Sequence, residues 1–222
     1  MSFSSYKQEV HNLLGSKKDI EALAQKDHAR ILIISDSHGH PSIFEKIVRQ
    51  FGSSCDALAF CGDGIGDLAQ ILYATSTDGS LKKCLPPVIA FAQGNGDPST
   101  YPLSPVCSIK VPNTQILTVN NQNIMIVHGH REGIDFGFDM LGLEMQIADC
   151  NTAFYGHTHI AYEETVGGVK FVNPGSCARP RGGQPGGCAI ATVEKTFIDI
   201  AFLRIDRGDS GETVFNLWNP TF

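Results

Sequence analysis

No apolar run in the chain exceeds five residues, the longest being Ala57–Cys61 and Val88–Ala92. A helix that crosses a bilayer needs about 20 apolar residues, so no membrane-spanning helix is expected. Met1-Ser2-Phe3-Ser4-Ser5 has neither the basic nor the apolar segment of a secretory signal. Basic blocks are also missing. The 17 Lys+Arg are outnumbered by 23 Asp+Glu, leaving a net charge of −6, so there is no signal for a protein that coats nucleic acid. The seven cysteines, at 55, 61, 84, 107, 150, 177 and 188, form no C-x-x-C pair. That argues against zinc ribbons and thioredoxin-like centres, and an odd count without an export signal points to reduced thiols in a cytoplasmic protein. Internal repeats and low-complexity linkers are absent as well.

What is present suits one globular domain: 222 residues, 42% hydrophobic and 18% charged. Residues 1–28 differ in texture from the rest. Ser5-Tyr6-Lys7-Gln8 and Ser16-Lys17-Lys18-Asp19 resemble helix starts, and Val10, Leu13, Leu14 and then Ile20, Leu23, Ala24 give two short apolar stripes divided by Gly15. They predict an N-terminal helical arm, with His11 and His28 as surface residues. From residue 29 the chain alternates short apolar runs with helical or looped stretches. Ile31–Ile34, Ala57–Cys61, Val88–Ala92, Ile124–Val127 and Thr152–Tyr155 read as buried strands, and Ile43–Phe51, Leu68–Ala74 and Phe136–Ala148 have helical spacing. Hairpins are predicted around Asn120–Asn123 and Gly167-Gly168, with further β character in Cys188–Val193 and Phe197–Ile205. The sum is an α/β domain over residues 29–205 with a tail over 206–222. Arg207-Gly208-Asp209 is read as a chance turn.

The residues that follow each apolar run carry the chemistry. The five runs lead, in order, into Asp36-Ser37-His38, Gly62-Asp63, Gly94-Asn95-Gly96-Asp97, His128-Gly129-His130 and Gly156-His157-Thr158-His159. Loops beyond the carboxyl ends of strands converge on one crevice in α/β sheets. No serine or cysteine nucleophile accompanies these groups, so the pocket reads as metal chemistry. Each motif alone is an ordinary turn; five in succession at strand ends are not. Asp36, His38, Asp63, Asn95, His128, His157 and His159 make seven donors, more than one ion requires, and Asp63 from a central strand is the natural bridge between two. Mixed carboxylate, amide and imidazole suit manganese, iron or zinc better than calcium.

D-x-H, GD, GN-x-D, HGH and GHTH in this order resemble the calcineurin-like metallophosphoesterase superfamily. With the short length and Asn173-Pro174-Gly175-Ser176, they are similar to its small YfcE-type phosphodiesterase subfamily, whose fold the retromer scaffold subunit shares. The resemblance spans about residues 29–205. It implies a four-layer α/β-β/α sandwich with two packed mixed sheets. It also implies one metal on Asp36, His38 and His159, a second on Asn95, His128 and His157, and Asp63 bridging both. The cofactors implied are two divalent ions, manganese first, with iron, zinc, nickel or magnesium as alternatives. The function implied is hydrolysis of a small phosphate ester, a diester first, by a metal-bridging hydroxide. His130 and Arg131 are the nearest candidates for phosphate contact beside Asn95, with Arg179 and Arg181 behind them. His130 and Asp97 are the candidate catalytic side chains, Asp97 acting by supporting loop geometry or forming a simple turn. Many relatives carry GNH; here Gly96 stands in place of that His, which removes a general acid and favours good leaving groups. A phosphomonoesterase, a protein-interaction scaffold, a regulatory metal-binding module and a homo-oligomer all remain open.

Overall fold

The computed structural model describes residues 8–9, 12–104 and 107–220. Its three parallel strands β1 (Ala29–Ile34), β2 (Ala57–Phe60) and β3 (Val88–Phe91) lie side by side. α2 (Pro41–Phe51) connects the first two; α3 (Ile65–Ala74) and α4 (Gly79–Cys84) connect the second to the third. β11 (Gly187–Val193), β12 (Ile198–Arg207) and β13 (Thr213–Leu217) extend the sheet antiparallel, in the order β13-β12-β11-β1-β2-β3. A second mixed sheet has the order β6-β7-β8-β10-β9, built from β6 (Thr114–Val119), β7 (Gln122–Val127), β8 (Thr152–Phe154), β9 (Ala161–Val166) and β10 (Val169–Pro174). α5 (Asp139–Ile147) covers its outer face, and a small ribbon of β4 (Thr100–Ser104) and β5 (Cys107–Lys110) lies against α3.

Period-two alternation explains why the two sheets stack. On β1, Ile31 and Ile33 face the second sheet while Leu32 and Ile34 face the helices. On β2, β3 and the residue after β3, Ala57, Ala59, Ala90 and Ala92 face inward and Leu58, Phe60, Ile89 and Phe91 outward. Ile124, Ile126, Phe154 and Val172 of the second sheet fill the space over those alanines, and their alternates Met125, Val127, Ala153 and Phe171 pack on α5. Three apolar interfaces thus join four layers, helices on sheet on sheet on helix. Every strand buried on both faces is apolar at successive positions, as the short runs anticipate.

Several boundaries differ from the sequence reading. The helix expected from residue 136 begins at Asp139, because Gly137 at φ 129° ends a separate 3-10 turn over Ile134–Phe136. α5 buries Leu141 and Met145 and leaves Met140, Leu143 and Ile147 exposed. α4, capped by Asp78, has too few apolar residues to announce itself. The first hairpin turns on Asn120-Asn121 alone, both at positive φ (49° and 58°), the geometry of a two-residue primed turn. Residues 206–217 do not form a tail: β12 continues to Arg207 and pairs with β13, and the Arg207-Gly208-Asp209 triplet sits where their hairpin turns.

At the other end α1 (Lys17–Ala24) forms with Ser16 as its cap. The preceding stripe is not helical in its described part. Gln8 and Leu14 form a β-bridge, while Val10 and His11 lie outside the described residues. Leu14 also exchanges backbone hydrogen bonds with Ile89 at 2.8 and 3.0 Å. This contact shields the free edge of β3. The N–H of Phe91 goes to Gln115 Oε1 (2.6 Å) and that of Gln93 to the Pro112 carbonyl (2.7 Å). An otherwise open edge is closed. No helix among the described residues is long and apolar enough to cross a membrane.

Candidate metal centre

The loops leaving β1, β2, β3, β7 and β8 meet at one edge of the two stacked sheets. Asp36, His38, Asp63, His157 and His159 have φ of 54°, 43°, 54°, 69° and 61°. The other four non-glycine residues at positive φ among those described are Asn12, Asn120, Asn121 and Asp149, all of turn-forming types. Left-handed backbone costs an L-residue about 1–2 kcal/mol and persists where surrounding structure enforces it, commonly at functional sites. Backbone bonds interlock these loops: Asp36 N–H donates to the Gly62 carbonyl and His38 N–H to that of Asp63, both at 3.0 Å.

One half of the centre is a tight knot of Asp36, His38, Asp63 and His159, whose ligand atoms all lie within 4.8 Å of one another. His159 Nδ1 donates to the Arg179 carbonyl at 2.6 Å, which turns Nε2 toward Asp36 Oδ1 (3.2 Å) and His38 Nε2 (3.0 Å). Asp36 Oδ2 is occupied by Ser35 Oγ and the His157 N–H, but Oδ1 is buried with no hydrogen bond. Burial lowers the pKa of His38, and Asp63 and Asp36 do not fully restore it. His159 also resists charge by burial, yet its contacts with Asp36 outweigh this and raise its pKa. In the other half, His128 Nδ1 donates to the Cys61 carbonyl at 2.7 Å, which leaves Nε2 3.2 Å from Asn95 Oδ1. His157 Nδ1 lies 3.0 Å from the same oxygen. Between the halves sits one atom, Asp63 Oδ2, 3.5 Å from His38 Nε2 and 3.6 Å from His128 Nε2.

Lone pairs converging without hydrogens between them repel, so this donor set fits cations. The orphaned Asp36 Oδ1 is the plainest sign of it. Thiolates take no part: burial pushes the Cys61 and Cys177 thiols well above their ordinary range, and all seven cysteines are free.

Around the donors lies a ring of supports. Asp97 does not face the centre. Its carboxylate accepts four backbone N–H groups, from Asp63 (2.8 Å), Gly94 (3.1 Å), Gly64 (3.0 Å) and Ile65 (2.9 Å). It is therefore a positioning residue for the loop that carries Asp63, not a group in contact with a reacting atom. Gly96 N–H holds Asp63 Oδ1 at 2.7 Å, and a Cβ on Gly94 would overlap that carboxylate. Asp67, which the sequence reading did not single out, serves the His38 loop in the same way, accepting from Ser37 Oγ and the N–H groups of Gly39 and His40. Ser176 Oγ donates to the Asp36 carbonyl and accepts from Arg179 N–H, and Asn173 Nδ2 donates to the Gly156 carbonyl and Thr158 Oγ1. The Asn-Pro-Gly-Ser stretch is thus the frame for Asp36, His157 and His159. His130 stands beside the ligand candidates, its ring 5.3 Å from that of His128 and 6.1 Å from that of His157, with Nδ1 buried and unbonded. Burial, then the charges of His128 and Arg131, lowers its pKa. Arg131, Arg179 and Arg181 are exposed around the rim.

The model for the calcineurin-like phosphoesterase superfamily domain matches residues 30–196. The chain belongs to that superfamily. YsnB of Bacillus subtilis, a probable metallophosphoesterase, is 27% identical over 172 residues, covering 78% of this chain and 89% of its own length. The phosphodiesterase YfcE of Escherichia coli is 28% identical over 162 residues, covering 70% and 83%. The fold is that of Vps29 from Cryptosporidium parvum, with a TM-score of 0.63 at 15% identity over 87% of this chain and 98% of that one.

Proposed function

We propose that the chain is a phosphodiesterase that works with two divalent cations, manganese first among them. Asp36, His38 and His159 would hold one, Asn95, His128 and His157 the other, with Asp63 shared. The observation that carries this reading is the place of Asp63 Oδ2, equidistant from an imidazole of each half while Oδ1 is tied to Gly96 N–H. When bound, such ions polarise phosphoryl oxygens and acidify a water.

The protein's own contribution is positioning and charge. Backbone carbonyls orient the rings of His128 and His159 so that both turn Nε2 into the centre. His130, whose pKa is lowered by burial, stands beside His128 and His157, where a ring N–H would meet a phosphoryl oxygen. Arg131, and behind it Arg179 and Arg181, supply positive charge at the rim of an otherwise acidic chain. Asn95 is exposed and borders the same opening. Gly96 offers no side chain to protonate a leaving oxygen, so esters of acidic alcohols and phenols are the favoured substrates. The molecule would act on a small phosphate ester in the cytoplasm.

Metal analysis with hydrolysis of an aryl phosphodiester in added Mn²⁺ tests this reading. Two ions per chain and turnover lost in Asp63→Asn and His128→Ala are expected. Faster cleavage of the aryl monoester would move the assignment to a phosphomonoesterase. A scaffold role has one observation in its favour, the exposed apolar stripe of Phe136, Met140, Leu143 and Ile147. Absence of turnover with every metal tried would select it.

A further inference from the structure

His157 differs from the other imidazoles of the centre in what holds its outer nitrogen. His128 and His159 donate to backbone carbonyls, those of Cys61 and Arg179. His157 Nε2 instead meets a side chain, Asp135 Oδ2, at 3.1 Å, and that side chain is 55% exposed against 23% for His157. A carboxylate can only accept here, so Nε2 carries the hydrogen and Nδ1, 3.0 Å from Asn95 Oδ1, is left bare.

The chain places this carboxylate with some care. Asp135 is the middle residue of the 3-10 turn Ile134–Phe136. Ile134 is buried and donates its N–H to the Gly129 carbonyl (3.3 Å). Its Cδ1 lies 2.5 Å from where a Cβ on Gly129 would be, so only glycine lets it seat against the backbone next to His128. The seat of Ile134 therefore sets the reach of Asp135.

We propose that Asp135 is the positioning residue for the second cation position, holding His157 with Nδ1 free and thereby setting how tightly that position fills. The inference rests on the two-cation reading above. An ionised acceptor behind a ligating imidazole raises its basicity, and removing such a partner typically weakens metal binding by about 10–100-fold. The first position has no contact with Asp135 and keeps its affinity.

Equilibrium dialysis of the full chain with Mn²⁺ separates the two positions. Wild type takes two ions. Asp135→Ala is expected to take the first normally and the second about 10–100-fold more weakly. Asp135→Asn, which keeps a neutral acceptor, recovers part of the loss. Asp139→Ala, an equal change in charge four residues on, at the start of the next helix, leaves both steps alone. Turnover of an aryl diester by Asp135→Ala should need more Mn²⁺ but approach the wild-type kcat at saturation. Nitrogen NMR of the metal-free protein should report His157 with hydrogen on Nε2 in wild type and a mixed tautomer in Asp135→Ala. An unchanged second step in Asp135→Ala, equal weakening of both steps, or the same effect from Asp139→Ala overturns the proposal alone. A wild type that binds a single ion overturns the two-cation reading and the proposal with it.

Discussion

The two halves of the centre use similar side chains but are built differently. In the first, every ligand candidate of its own, Asp36, His38 and His159, has left-handed backbone; in the second, His157 alone does, while Asn95 and His128 have ordinary φ. Donor atoms crowd in both halves, within 4.8 Å around Asp36, His38, Asp63 and His159, and with two imidazole nitrogens 3.0 and 3.2 Å from Asn95 Oδ1 in the other. Strain and mutual repulsion at one spot require enforcement, and the enforcers are there: Asp67, Ser176 and Asn173 each grip the loops bearing that half. The second half shares Asn173, which holds Gly156 and Thr158 on either side of His157, and Asp97, which holds Gly94 beside Asn95; its rings rest on a buried carbonyl for His128 and a half-exposed carboxylate for His157. If two cations bind as proposed, one would sit among strained, crowded donors and the other beside an exposed support, with one oxygen of Asp63 between them.

That shared oxygen gives the sharpest way to break the comparison. Asp63→Asn should lower diester turnover by about 10³-fold, since several kcal/mol of charge stabilisation is at stake and each 1.4 kcal/mol is a factor of ten. Metal analysis of the variant should show both positions weakened. Loss confined to one half would mean that Asp63 belongs to that half and is not shared.

Next in size is the contrast between supports. Asp97→Ala would leave four backbone N–H groups of the Asp63 and Gly94 loops without their acceptor. Hydrogen bonds to a charged group contribute about 1.5–3 kcal/mol each but overlap strongly when one carboxylate makes them all, so a loss of roughly 3 kcal/mol is expected by denaturant unfolding. Asp135→Ala, at an exposed site, should change stability by less than about 0.5 kcal/mol. Similar losses in both would erase the distinction between a buried frame and an adjustable one.

How much of this was legible in the sequence follows from the range of each interaction. The strands buried on both faces appear as short apolar runs, and the ligand candidates come immediately after them, so both are local signals. The two sheets alternate small and large residues across their interface, which needs only period two. Supports are another matter. Asp67 reaches 30 residues back to Ser37 and Asp135 22 forward to His157, with no periodic mark on either; Asp97 stands out inside its Gly-Asn-Gly-Asp motif, but its partner 34 residues back at Asp63 does not. Leu14 pairs with Ile89 through backbone alone, so its side-chain pattern suggested a helix instead. β13, with no buried residue, pairs at the sheet's edge on register that apolar spacing does not encode.

A smaller effect sharpens the difference in strain. His38→Gly should stabilise the metal-free protein by about 0.5 kcal/mol, because relief of roughly 1 kcal/mol of left-handed strain exceeds the extra chain entropy of glycine. Asn95→Gly has no such strain to relieve and should cost about 0.5 kcal/mol. Opposite signs in paired unfolding titrations are the expected result. Equal signs would mean that the left-handed backbone of the first half is not strained.

The smallest expected effect is in pH. In the metal-free protein Asp36 holds the pKa of His159 above 6.5 despite burial. A raised folded-state value means the folded chain binds the proton more tightly than the unfolded chain does. The stability from this pair is therefore complete below pH 6.5 and is lost as pH rises through the raised value. His38 runs the other way. Its pKa is lowered, mainly by burial, so its contribution is present above 6.5 and is lost as pH falls through the lowered value. Replacing His159 with Gln should flatten the alkaline side of the profile and leave the acidic side in place. Metal occupancy supplies the cross-check, because the proton on His159 must leave before a cation can bind Nε2. Filling the first position near pH 7 should then release protons, visible as a buffer-dependent heat in calorimetry, and His159→Gln should remove that release. If the heat of the first step does not depend on the buffer, Asp36 and His159 do not share a proton, and the first half is held together by its frame alone.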